Sequence, residues 1–158
     1  MRFFMNVRAV VMILTLMFSH AAFSSELDTC IKTVLSRPKL FRLEKEESIK
    51  NCVELNKAKI DQNTCFSKVK NLKTWVHSTQ LQTQMTATCF YDTQQFKSVA
   101  SCTQAARNFA FASDHDEAIF YCYQIFQENL SQNQCIDLAD KMIFPLKKDY
   151  LKRHCLQN

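Results

Sequence analysis

The sequence predicts an all-α protein: four antiparallel helical hairpins, each stapled by a disulfide, stacked as a short α-solenoid or compact bundle. Three observations carry this reading. The 158 residues contain no glycine and two prolines, so tight β-hairpin turns lack the residue that supplies positive φ at no steric cost. The chain holds eight cysteines, Cys30, Cys52, Cys65, Cys89, Cys102, Cys122, Cys135 and Cys155. They form two interleaved series: the first recurs every 35, 37 and 33 residues from Cys30, the second every 37, 33 and 33 from Cys52. A period in the mid-thirties with two marked positions per unit signals stacked helical hairpins.

Helix starts agree with this frame. Asp61, Ser98 and Ser131 each stand four residues before a first-series cysteine, where their side chains can accept from the free N–H groups of a first turn. Ser131 and Gln134 also make a capping-box pattern. Each of these cysteines then sits about one turn into a first helix, A. Breaks follow at Ser36-Arg37-Pro38, His77-Ser78, Ser113-Asp114 and Phe144-Pro145, and each opens a second helix, B.

Residues 1–24 read as a secretory signal peptide. Arg2 and Arg8 supply the basic leader, Ala9 to Phe18 the apolar stretch, and Ala22 and Ser24 the small residues before a mature start at Ser25. Ten apolar residues are too few to span a bilayer, and no later segment is apolar enough to make a transmembrane segment of the mature chain. Its net charge is a mild +3. Residues 25–158 read as a single helical-repeat domain, with repeats at about 26–60, 61–97, 98–130 and 131–158. An even cysteine count behind a signal peptide marks an exported chain, periplasmic or secreted, in an oxidising compartment.

Two disulfide schemes compete. In an antiparallel hairpin, residues equidistant from the turn face each other. The midpoints of 65/89, 102/122 and 135/155 fall at 77, 112 and 145, within two residues of the breaks, while the 30/52 midpoint, 41, misses its break by several. The rival scheme joins 52/65, 89/102 and 122/135, whose constant 13-residue separation favours it. It leaves Cys30 and Cys155 at opposite ends of the stack. The preferred set is therefore Cys30–Cys52, Cys65–Cys89, Cys102–Cys122 and Cys135–Cys155, each closing a loop worth about 3 kcal/mol.

The repeat length, the A/B helix pairs and two cysteines per unit, as in Ser98-Val99-Ala100-Ser101-Cys102 and Ser131-Gln132-Asn133-Gln134-Cys135, resemble the cysteine-rich, tetratricopeptide-like α-hairpin repeat proteins secreted by bacteria. The resemblance is architectural and covers residues 26–158. It implies a scaffold that binds proteins or peptides, and it carries over no active residue.

The residues themselves exclude several function classes. Without glycine there is no phosphate-cradling loop, dinucleotide fingerprint or nucleophile elbow. No CxxC or HxxxH pair supports a metal site or thioredoxin-like chemistry, so no catalytic residue, metal or cofactor is expected. Asp114-His115-Asp116-Glu117 reads as acidic capping at the start of a B helix. Lys68, Lys70 and Lys73, and the Lys147, Lys148, Lys152 and Arg153 group, read as solvated basic faces, with an anionic envelope or polymer as the functional alternative. They are too sparse for a nucleic-acid stripe. Asn129-Leu130-Ser131 is a sequon, meaningful only in a eukaryotic secretory pathway.

Nine of 14 mature-chain aromatics lie between Phe90 and Phe126. Ile119, Cys122 and Phe126 share one helical face, and Phe120, Tyr121 and Tyr123 make the helix apolar nearly all round. The plain reading is a central helix packed on both sides. The functional reading is that Tyr91, Tyr121 and Tyr123 present hydroxyls on a groove that recognises a protein or peptide partner. The expected function is an exported, non-catalytic interaction module. The alternatives are a carrier of an apolar small molecule lined by Phe109, Phe111, Phe120 and Phe126, or an envelope-acting enzyme.

Overall fold

The caps read from the sequence start the A helices as expected. Asp61 accepts from the Thr64 amide at 3.0 Å, and Ser98 and Ser131 form reciprocal capping boxes with Ser101 and Gln134. The computed structural model describes residues 26–93 and 96–157; the leader read at 1–24 lies outside them. Among the described residues there is no strand, and the helices are α1 (26–35), α2 (Arg42–Asn56), α3 (Gln62–Leu72), α4 (Thr79–Ala87), α5 (Val99–Ala106), α6 (Ala112–Phe126), α7 (Gln132–Ala139) and α8 (Pro145–Gln157). The odd-numbered helices are the A helices and the even-numbered ones the B helices. A π-helical turn, Thr88–Asp92, continues α4.

The cysteine frame is stricter in the structure than in the sequence. Cys65, Cys102 and Cys135 are each the fourth residue of an A helix, and Cys52, Cys89, Cys122 and Cys155 each lie ten residues beyond the first residue of a B helix. Disulfides join Cys30 to Cys52, Cys102 to Cys122 and Cys135 to Cys155, with Cα separations of 5.8, 5.8 and 5.6 Å. Cys65 and Cys89 are disulfide-bonded as well, and no cysteine is free. Cys52, Cys102 and Cys122 are thereby committed within their hairpins, which removes the 52/65, 89/102 and 122/135 scheme. The constant 13-residue step is instead the fixed path from the end of one B helix into the next A helix.

Two helix starts differ from the sequence reading. The first connection runs on through Phe41, and α2 begins at Arg42. Pro38 pushes Arg37 out of the helical region, and the chain first finds a cap where the Glu44 carboxylate accepts the Phe41 amide at 3.2 Å. The 30/52 midpoint therefore falls on the N-cap of α2, and the first hairpin is as regular as the others. Likewise α6 begins at Ala112, before Ser113-Asp114.

The chain forms two compact units, the first ending at Met85 and the second beginning at Thr86. In the first unit, A helix is tied to A helix by Lys68 of α3, whose Nζ lies 2.7 Å from both carboxylate oxygens of Asp28 on α1. Lys59, just beyond α2, pairs with Glu26 at 2.6 Å. B is tied to B by Glu46 of α2, which accepts the Ser78 amide at the start of α4 at 2.9 Å. Leu27, Ile49, Val53, Phe66, Val69 and Val76 are buried.

In the second unit α5 packs on α6, α7 on α8, and α6 on α7. The buried stripe of α6 repeats that of α2: Glu46, Ile49, Cys52, Val53 and Asn56 in one, Asp116, Ile119, Cys122, Tyr123 and Phe126 at the same steps in the other. Of the second set, Phe126 is half-buried and the rest are buried. A buried carboxylate six residues before Cys52 and before Cys122 is thus a structural element that both units share.

Candidate functional site

The Asp114–Glu117 cluster is structural. Asp116 is fully buried, and its two oxygens accept the amides of Ile143 and Phe144 at 2.7 and 2.8 Å. It caps α8, the next B helix, and not its own helix as the sequence reading has it; only Asp114 stands in the first turn of α6. Burial alone would raise the Asp116 pKa, but those two amides, together with His115 at 3.3 Å, hold it below the ordinary carboxylate range. Among the described residues no group of three His, Cys, Asp or Glu side chains is placed to hold a metal ion.

Four aromatic rings of the second unit gather on Phe90, which is fully buried. Its ring centroid lies 4.9 Å from Tyr91, 4.9 Å from Phe96, 5.4 Å from Phe109 and 5.9 Å from Tyr121. Tyr91 and Tyr121 meet edge to face at 5.1 Å on the half-buried side of this cluster. Burial raises the Tyr91 pKa, and the charges of Glu117 and Asp114 raise it further. Tyr123 departs from the set. It is 6% exposed, because its position one residue after Cys122 places it on the buried stripe of α6. The three tyrosines therefore do not share a surface: two stand together and the third is core.

The phenylalanines expected to line one cavity are also dispersed. Phe109 is buried beside Phe90, Phe111 is exposed as the N-cap of α6, and Phe120 borders a hollow of about 210 Å³ with Met142 and Tyr150. Phe126 faces a different space.

That space is a groove of about 810 Å³ between α5 and α7. Val99, Ala100, Phe126, Leu130 and Leu138 give it an apolar floor, and Lys97, Arg107 and Lys141 stand around it with the single carboxylate of Asp137. None of these four charged side chains has an ion-pair partner among the described residues.

Its origin is visible when the two units are aligned on their cysteines. Asp28 and Lys68, which close the A-helix seam of the first unit, correspond to Ala100 and Leu138; Glu26 and Lys59 correspond to Ser98 and Asn129. All four replacements line the groove. The second unit has lost both ion pairs across this seam, and the seam is open.

The sequence reading missed Lys97, Arg107 and Lys141. The signal was available in the same alignment of repeats on the cysteine frame, as a pair of opposite charges in one half and uncharged residues in the other. No known protein family, curated protein or solved structure matches the chain.

Proposed function

We propose that this is a non-catalytic binding module of the exported, oxidised environment, and that the groove between α5 and α7 receives an extended peptide segment of a protein partner. The observation that carries this reading is the groove itself: an apolar floor with unpaired charges at its edge, where the first unit closes the same seam with two ion pairs. Concave sites with a few placed polar groups on an apolar lining are the usual form of binding sites. Intramolecular disulfides fit an oxidising compartment, and the leader read at 1–24 supports export. Tyr91 and Tyr121 provide a second, smaller contact area on the same unit, with hydroxyls that have no partner among the described residues.

The test is a pull-down from the producing cell's own envelope or secreted fraction, comparing the wild-type protein with Ala100→Phe and with Lys97→Glu/Lys141→Glu. Ala100 lines the groove and is exposed, so the larger ring fills the groove with the helices intact. A partner that wild type captures and both variants lose supports the reading. Capture that survives in both variants rejects it.

A further inference from the structure

The ends of the hairpins in the first unit carry a feature that peptide binding in the second unit does not use. The Glu46–Ser78 hydrogen bond, at 2.9 Å, brings the start of α2 beside the start of α4. Both A-to-B connections, 36–41 and 73–78, therefore lie at one end of this unit. There Phe41 is 78% exposed, Leu43 70% and Trp75 55%. Arg37, Lys39 and Lys73, in the same two connections, are exposed and have no ion-pair partner among the described residues. The nearby carboxylates are already engaged: Glu44 with the Phe41 amide, and Glu46 with Ser78 and Arg42.

We infer that this end of the first unit docks on an anionic lipid surface, with Phe41, Leu43 and Trp75 entering the headgroup–acyl boundary and Arg37, Lys39 and Lys73 meeting lipid phosphates. Phe41, Leu43 and Trp75 are large apolar side chains that this unit leaves exposed. They fit a fluid interface, whereas a protein partner would have to supply a matching cavity. Aromatic and aliphatic residues interleaved with Lys and Arg are the composition that binds such interfaces, apolar burial and attraction to anionic headgroups adding together. The corresponding end of the second unit also exposes Ile143, Phe144 and Leu146, but there Lys147 is set against Glu117 and Lys148 against Asp140. Arg107 and Lys141, the cations of its A-to-B connections without an ion-pair partner among the described residues, line the α5–α7 groove, so the first unit's end is the one where exposed apolar side chains sit with unpaired cations outside that groove.

Trp75 is the only tryptophan in the chain, so its fluorescence reports this end of the molecule directly. The experiment mixes the protein, purified after export by the producing cell, with vesicles of phosphatidylcholine alone or of phosphatidylcholine with phosphatidylglycerol. The expected result is a blue shift of Trp75 and co-sedimentation with the anionic vesicles only. Phe41→Ser/Leu43→Ser should weaken binding at least tenfold, and each of Arg37→Gln, Lys39→Gln and Lys73→Gln about fivefold. Ile143→Ser/Leu146→Ser, at the other unit, should leave it unchanged. These side chains are exposed, and circular dichroism checks that each variant keeps its helices. The inference is overturned by an unshifted Trp75, by equal binding to both vesicle types, by binding that survives the Phe41/Leu43 change, or by a tip that takes up an acidic protein and ignores vesicles.

Discussion

Asp116 on α6 holds the start of α8, its Oδ2 accepting the Phe144 amide at 2.8 Å while Oδ1 takes that of Ile143. A helix start leaves amides without intrahelical partners, and Phe144, at the N-cap position, has no side-chain oxygen to satisfy them. The neighbouring B helix supplies the acceptor. Glu46 does the same for Ser78 and α4 in the first unit. Removing Asp116 strands two amides, so Asp116→Ala should cost about 2–4 kcal/mol, and Asp116→Asn, which keeps one acceptor, should cost less. Asp114→Asn, at the exposed first turn of α6, should change stability by under about 0.5 kcal/mol. Urea unfolding monitored by circular dichroism decides this; equal midpoints for Asp116→Ala and wild type would refute the clip.

The same two carboxylates predict an acid limit. Burial raises the pKa of Glu46, but the Ser78 amide, the Arg42 guanidinium and the His77 amide together hold it below the ordinary value. Asp116 is held low in the same way by Ile143, Phe144 and His115. A carboxylate whose folded pKa is depressed contributes stability that is complete above its unfolded value, about 4, and is lost as pH falls through the folded value. Unfolding free energy should therefore be flat from neutral pH down to about 5 and drop steeply below about 4. Glu46→Gln/Asp116→Asn should start lower at neutral pH and fall less in acid; a slope identical to wild type would show that the clips carry none of the acid sensitivity.

The hairpin frame was legible because cysteine spacing records helix geometry directly: one residue marks the first turn of A, the other a fixed point on B, and a disulfide forces the two to face each other. The partners of Glu46 and Asp116 were hidden for the opposite reason. Each caps a helix more than 25 residues away, and local pattern assigns an acidic residue to the nearest helix start. Tyr123 is buried where the sequence reading put it on a groove, because a helix that is apolar nearly all round leaves its buried face undefined until the neighbours of α6 are known. The groove came from what the second unit lacks, the Asp28–Lys68 and Glu26–Lys59 pairs of the first. Only a comparison between repeats shows such a loss.

Phe90 should be the most costly single aromatic to truncate. It is fully buried and its ring lies against those of Tyr91, Phe96, Phe109 and Tyr121. Phe90→Ala removes the common partner of four rings and leaves a cavity, for an expected loss of about 3–5 kcal/mol. Phe111→Ala, at a largely exposed N-cap, should cost under about 1 kcal/mol. Denaturant midpoints for the two variants should differ several-fold in their displacement from wild type; comparable displacements would mean that Phe90 is not the centre of this core.

The disulfides should contribute mainly by restricting the unfolded chain. Cys102–Cys122 closes a loop with a sequence separation of 20, which in the chain-entropy model is worth about 3 kcal/mol. The α5–α6 contact does not depend on the bond alone, since Ala105, Ala106, Ala118 and Ile119 are buried in the two helices it joins. Cys102→Ala/Cys122→Ser should therefore still give a helical spectrum near 25 °C, with unfolding free energy lowered by about 3 kcal/mol and with slower refolding, as the hairpin must now close by diffusion. Cys135→Ser/Cys155→Ser closes a loop of the same separation and should lose about the same amount. If either variant loses its helical signal outright, the staple is a condition of folding and not a constraint on the unfolded state; if both match wild type, the stability resides in the helix interfaces.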